Sequence, residues 1–164
     1  MAQNYIPNND SSKISFIIKN LGLNVKGNFS GIKGTILFDK NDLNASEINI
    51  SANSNSVNTD NSARDKHLRK EEYFNTDKYP NITFKSSKIT TATRANRYNV
   101  EGDISIKGNS KPIKFELIAL EKDNKLELKC NFEINRRNFK IGDKSIILSD
   151  NVKLDIFIIA SKPN

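Results

Sequence analysis

The sequence predicts an all-β domain: an antiparallel barrel or sandwich of about eight strands, with one short helix inserted around residues 62–73. Three observations carry this. Apolar and polar residues alternate through most of the chain, the period of side chains that point to opposite faces of a strand. Turn-rich stretches separate the alternating runs, and no helical pattern lies between most of them, which disfavours a parallel βαβ arrangement. A single charged, helix-favouring segment, beginning at Arg64, interrupts the series.

The elements follow in order. Ile14, Phe16 and Ile18 share one face of a first strand over residues 12–19, opposite Ser15, Ile17 and Lys19. Ile36 and Phe38 belong to a second strand over residues 31–39. The glycines at 22, 27, 31 and 34 mark a bend where the first strand passes into the second. Ile48, Ile50 and Ala52 alternate with Glu47, Asn49 and Ser51, and the polar stretch 51–61 completes that strand and leads into the helix. Ser62 and Asp65 have the spacing of a capping box. Asp65 and Arg69, four apart, can pair along the helix. Pro80, without an amide hydrogen, stops the helical run before the strand of Ile82 and Phe84.

Tyr98, Val100, Ile104 and Ile106 then oppose Asn99, Glu101, Asp103 and Lys107. Ile113, Phe115 and Leu117 form the next run, followed by Leu126, Leu128, Cys130, Phe132 and Ile134, and last by Val152, Leu154, Ile156 and Ile158. Residues 90–96 and 122–125 read as hairpin loops.

A chain of 164 residues is one domain, 1–164, large enough for a core or a lined cavity. Its formal charge of +7 raises the question of a nucleic-acid or membrane-surface partner, but lysine is spread along the chain and not gathered in a run. Most phenylalanines fall on the apolar face away from lysine, which disfavours a base-stacking surface. Cys130 is the only cysteine, so no intrachain disulfide forms, and its place on an apolar face suits a small buried hydrophobe. His67 is the only histidine, which excludes metal sites built on paired imidazoles. Asp65 and His67, two apart on a helix, face away from each other, and neither a nucleophile elbow nor a phosphate loop is present. No catalytic or metal-binding residue is expected; Tyr98 is the one polar-tipped side chain on the apolar face that an enzyme could use. No stretch is apolar enough to span a bilayer as a helix, and the absence of tryptophan girdles disfavours a transmembrane barrel. The first residues lack the charged-then-apolar pattern of a signal peptide.

The segment from Arg64 to Ser86 resembles the signature of the YceI-like family of small lipocalin-like barrels. Arg64-Asp65, His67-Leu68, Tyr73-Phe74-Asn75 and Lys78-Tyr79-Pro80 are followed by Ile82-Thr83-Phe84-Lys85-Ser86. The likeness extends through residues 12–19, 31–39 and 98–112, the run Asn135-Arg136-Arg137-Asn138-Phe139, and residues 148–152. The chain departs from the family at Lys19-Asn20, where many relatives carry a basic residue and histidine, and at Lys140, where relatives commonly have glycine.

The resemblance implies an eight-stranded antiparallel barrel holding a long isoprenoid lipid, a polyprenyl phosphate or quinone tail, for transport, storage or sequestration. The implied lumen face comprises Ile14, Phe16 and Ile18; Ile36 and Phe38; Ile48 and Ile50; Ile82 and Phe84; Tyr98, Val100 and Ile104; Phe115 and Leu117; Leu126, Leu128, Phe132 and Ile134; and Leu154, Ile156 and Ile158. Arg64 and His67 are the candidate head-group or helix-cap contacts, and Arg136-Arg137 is a basic pair at a strand end. No cofactor is implied beyond that lipid. No nucleic-acid partner and no stable membrane insertion are expected, and a homodimer is allowed. The family also implies a periplasmic or secreted protein, with a cytoplasmic one as the alternative. A nucleic-acid-binding barrel or a scaffold without ligand are the competing functions.

Overall fold

The computed structural model describes residues 2–164. Among these residues nine strands form one antiparallel sheet: β1 (Gln3–Pro7), β2 (Lys13–Asn20), β3 (Leu23–Phe38), β4 (Glu47–Asn58), β5 (Asn81–Thr91), β6 (Arg97–Ile106), β7 (Asn109–Lys122), β8 (Lys125–Asn135) and β9 (Leu148–Ser161). The sheet closes on itself. β1 and β2 run in the same direction between β3 and β9, β1 pairing with Ile36–Phe38 of β3 and β2 with its first half. They occupy one position of the barrel, broken by the turn at residues 8–12, so the expected eight-stranded barrel is what forms.

Four local expectations need correction. The glycines at 27, 31 and 34 lie inside β3 and do not join two strands. This 16-residue strand carries register shifts near Gly31, which has a positive φ of 69°, and continues round the barrel wall. The helix α1 spans only Ser62–Leu68, and residues 69–79 continue as turns, so its end precedes Pro80 by a dozen residues. Its N-cap is Asn61, whose Oδ1 accepts the Arg64 amide at 3.0 Å.

Asp65 does not close a capping box or pair with Arg69. Its buried carboxylate accepts the Thr59 amide at 2.9 Å and the Thr59 hydroxyl at 2.6 Å. Arg69 instead donates to the carbonyls of Asn55 and Val57. These bonds tie α1 to the end of β4, across one mouth of the barrel.

The up-and-down order puts the β2–β3, β4–β5, β6–β7 and β8–β9 connections at that mouth. The β3–β4, β5–β6 and β7–β8 connections lie at the other end, the base. The base is filled: Tyr5, Ile36, Phe38, Tyr98, Val100, Leu117, Ala119, Leu126 and Ala160 are buried against one another. Phe38 and Tyr98 meet edge to face at 5.4 Å. Tyr5 donates to Glu121 at 3.0 Å, and burial, followed by that carboxylate, pushes its phenol up to about 12. Along the outer wall, Lys125, Lys129, Asn131 and Glu133 of β8 and Asn151, Lys153 and Asp155 of β9 are exposed. Bilayer hydrocarbon would reject such a wall.

Candidate functional site

Above the packed base the barrel is hollow. A cavity of about 340 Å³ runs from the mouth down between all the long strands. This volume suits one slender ligand, since small-molecule pockets span roughly 300–1,000 Å³. Its lining on β9 extends from Leu148 to Ile158. Ten residues at about 3.3 Å each, tilted about 40°, give a depth of roughly 25 Å. A lipid tail that fills one leaflet, half of a roughly 30 Å hydrocarbon core, is shorter than that.

The alternation explains why the wall is apolar. Ile14, Phe16 and Ile18 of β2 meet Ile156, Leu154 and Val152 of β9, in that order, directly across the ladder, all on the lumen side. Ile48 and Ile50 of β4, Ile82 and Phe84 of β5, Ile104 of β6, Phe115 and Leu117 of β7, and Leu128, Phe132, Ile134 and Ile158 of β8 and β9 complete the predicted lining. Several of these point inward yet remain only half-buried, among them Ile14, Ile50, Phe84, Phe115, Phe132 and Ile156. Their inner surfaces face empty space, the mark of a hollow and not of a close-packed core.

Ile36, Phe38, Tyr98, Val100 and Leu126 do not line the cavity. They were expected in the lumen because they share the inward face, but they lie at the base, where Tyr5 and Phe38 close the barrel. Alternation reports which face a residue is on and is silent about depth.

Ile106 and Val152, placed on the apolar face but outside the implied lumen, also line it near the mouth, and other lining residues were not foreseen: Val25 and Phe29 from the first half of β3, Leu148, and Leu68, Tyr73, Phe74 and Ile141 from the two long connections. The missed signal in β3 was the run Val25, Gly27, Phe29, whose glycine hides the alternation. That glycine is a notch. A Cβ on Gly27 would lie 2.3 Å from the Phe16 ring, and one on Gly102 would lie 2.6 Å from the ring of Phe84. Both rings therefore sink into the wall and leave the lumen clear.

Polar groups collect at the mouth. Arg64, at the start of α1, lines the cavity and donates from Nε to the Thr59 hydroxyl at 2.8 Å and from Nη2 to the Thr59 carbonyl at 2.9 Å. His67 is exposed, also lines the opening, and stands edge-on to Tyr73 with ring centroids 5.1 Å apart. Arg136, half of the basic pair at the end of β8, also lines the cavity. It is 2% exposed and donates to the carbonyls of Ile141 at 2.8 Å, Ser149 at 2.9 Å and Leu148 at 3.4 Å, with the Asp150 carboxylate at 3.3 Å. It staples the β8–β9 connection over the mouth. Arg137 is half-exposed and reaches Asp150 at 4.0 Å. Beside it, Asn20, paired with Leu148 across the β2–β9 ladder, lines the cavity, and its buried Oδ1 has no hydrogen-bond partner among the described residues.

Halfway down, Cys130 faces the lumen, and burial, with a smaller push from Asp155, raises its thiol to about 12. It stays protonated near neutral pH and lacks the thiolate character of a nucleophile. Among the described residues no group of three or more histidine, cysteine or acidic side chains could hold a metal ion. None of the helices described is long and apolar enough to cross a membrane.

Comparison with known proteins places this architecture. The YceI-like domain profile matches residues 5–160. A UPF0312 protein of Yersinia enterocolitica is 35% identical over 136 residues, covering 81% of this chain and 69% of that protein. One from Pectobacterium atrosepticum is 36% identical over 104 residues, 63% of this chain and 53% of its own length. The chain thus spans about half the length of several curated relatives it matches. Among solved structures, Burkholderia cenocepacia BcnA superposes with a TM-score of 0.87 over 94% of this chain and 99% of that one, at 22% identity, a likeness of fold. A Campylobacter jejuni YCEI protein gives 0.78 at 29% identity over 87% of each chain. A polyisoprenoid binding domain from Saccharophagus degradans, implicated in plant cell wall breakdown, gives 0.79 over 97% of this chain and 98% of that one, at 15% identity. With nearly its whole length matched and the closed barrel in place, the chain belongs to the YceI-like family.

Proposed function

We propose that the protein binds one long isoprenoid lipid with its tail in the barrel and its polar end at the mouth, and carries, stores or sequesters it. The observation that carries this reading is the shape of the cavity: apolar, roughly 25 Å deep by the strand geometry, and closed at the base by packed side chains. Burial contributes about 0.8 kcal/mol per methylene, so a tail of about fifteen carbons gains on the order of 12 kcal/mol before the cost of ordering it. Such a wall sets tail width and length and leaves specificity to a few polar groups.

Those groups are at the right end. Arg64 and His67 line the opening, and so does Asn20, whose unpartnered Oδ1 suits a hydroxyl or amide donor of the ligand. The Saccharophagus domain, described as polyisoprenoid binding, shares this barrel. No covalent step is required of any residue. The family likeness also supports a periplasmic or secreted location, which cell fractionation checks.

The test is mass spectrometry of an organic extract from protein purified without detergent, paired with uptake of a fluorescent prenyl lipid. A stoichiometric prenyl species, or saturable uptake, supports the reading. An empty extract together with no uptake overturns it.

A further inference from the structure

The four most exposed large apolar side chains among the described residues all lie on one corner of the mouth. Ile146 is 101% exposed, Leu23 72%, Leu21 71% and Ile147 49%. They come from two segments that the fold brings side by side: the β2–β3 turn and the end of the β8–β9 connection, joined where the Leu21 amide donates to the Ile147 carbonyl at 2.9 Å. The Ser145 hydroxyl accepts the amides of Ile147 and Leu148 at 3.1 Å and fixes the tip that presents Ile146.

The fold itself does not ask for these residues. Leu21 and Gly22 form a two-residue hairpin turn with φ of 54° and 75°, a geometry that favours asparagine or glycine at both positions. Leucine is costlier there than asparagine in conformation and in hydration. An unfavourable turn residue that also exposes most of its side chain indicates a surface that uses it.

The surroundings say what kind of surface. Lys19 and Lys144 are exposed beside these tips, and Lys140 is exposed farther along the same connection, where Lys107 of the β6–β7 turn donates to its carbonyl at 2.7 Å. The connection over residues 136–147 exposes Arg137, Lys140 and Lys144 against Asp143, while Arg136 is buried against Asp150 and adds nothing to the surface. At the base, by contrast, Lys40 and Arg94 stand against Asp39, Asp42 and Asp123 in the three connections. Apolar tips flanked by Lys19 and Lys144, on a mouth whose β8–β9 connection exposes more cations than anions, match an anionic bilayer interface, into which such tips insert while the cations meet head groups. A second copy fits poorly, because a symmetric contact would bring the same lysines together.

We infer that this lip docks the barrel, mouth first, on an anionic phospholipid surface. The placement adds meaning, because Asn20 and Leu148, the neighbours of Leu21 and Ile147, line the cavity. A docked mouth lets a tail pass between bilayer and lumen without crossing water. That purpose rests on the carrier reading; the docking itself rests only on the lip.

Co-flotation of the full chain with phosphatidylcholine vesicles and with mixed phosphatidylcholine–phosphatidylglycerol vesicles tests it. The wild type is expected to float with the mixed vesicles, less so as salt rises. Leu21→Asn combined with Leu23→Ser and Ile146→Ser should lower binding by at least about tenfold with the circular dichroism spectrum unchanged. Lys140→Glu with Lys144→Glu should do the same on mixed vesicles. Absence of flotation, equal flotation with neutral vesicles, undiminished binding by the triple variant, or a wild-type dimer that the triple substitution dissolves in sedimentation would each overturn the proposal. Flotation with an empty cavity leaves docking standing and removes the carrier reading; a lipid-filled protein that does not float does the reverse.

Discussion

Replacing Arg136 by methionine keeps a long, flexible side chain at the site and removes the guanidinium. That group makes two short bonds to the carbonyls of Ile141 and Ser149, a longer one to Leu148 and an ion pair with Asp150. A hydrogen bond to a charged group contributes about 1.5–3 kcal/mol, but the freed carbonyls lie near the mouth and regain some water. Breaking a buried charged network costs about 3–5 kcal/mol, and we expect that range here, a large part of the roughly 5–15 kcal/mol that holds a domain together. In urea, with a slope of about 2 kcal/mol per molar, the midpoint should fall by about 2 M. Arg136→Lys, which keeps the charge and loses the fork, should recover less than half. Amide exchange should accelerate first at Gly142 and Leu148, in the connection the arginine holds. A loss below about 1 kcal/mol, or a lysine variant as stable as wild type, would refute the stapling argument.

Three further outcomes follow from the hollow and its rim. Ile156→Trp, placed where the side chain faces empty lumen, should reduce prenyl-lipid uptake at least about tenfold with little change in the urea midpoint, whereas Val100→Ala at the base should cost about 2 kcal/mol and leave uptake intact. Lys140 holds a left-handed backbone with φ 58° and ψ 34°. Glycine there relieves about 1–2 kcal/mol of steric cost and gives back about 0.5–1 in chain entropy, so Lys140→Gly should raise thermal stability by about 0.5 kcal/mol. Cys130, raised to about 12, holds its proton more tightly folded than unfolded. Stability is therefore full below the unfolded thiol value and falls by up to about 1.4 kcal/mol per pH unit as pH climbs from about 8.5 towards 12; Cys130→Ala should remove that share, read as urea midpoints at neutral and alkaline pH.

What could be read from the chain and what could not divides along physical lines. Period-two alternation placed Ile14, Phe16, Ile18 and their partners inward, because a pleated strand allows no other outcome once one face is dry. The same pattern could not separate Ile156, which borders a void, from Val100, which is packed, since depth depends on where the chain crosses the barrel. Arg136 looked like a surface cation because its carbonyl partners come from a connection with no regular pattern. Asp65 had capping-box spacing, yet Asn61 took the cap and released the carboxylate to bind Thr59. Local spacing offers several hydrogen-bond solutions, and tertiary placement selects among them.

The notches at Gly27 and Gly102 carry a consequence for how the protein could change. Each glycine lets a phenylalanine ring lie flush with the wall, so the bore at that level is set by the absence of a single methyl group. Alanine at 27 would swing the Phe16 ring inward and narrow the passage without altering any residue that now borders it, whereas at 102 the new methyl would also meet the Lys85 carbonyl at 2.4 Å and force the strands to shift. The calibre of the tube can thus be reset one atom at a time from behind its lining, a route by which related barrels could come to admit thicker or thinner cargo while their inner surface chemistry stays the same.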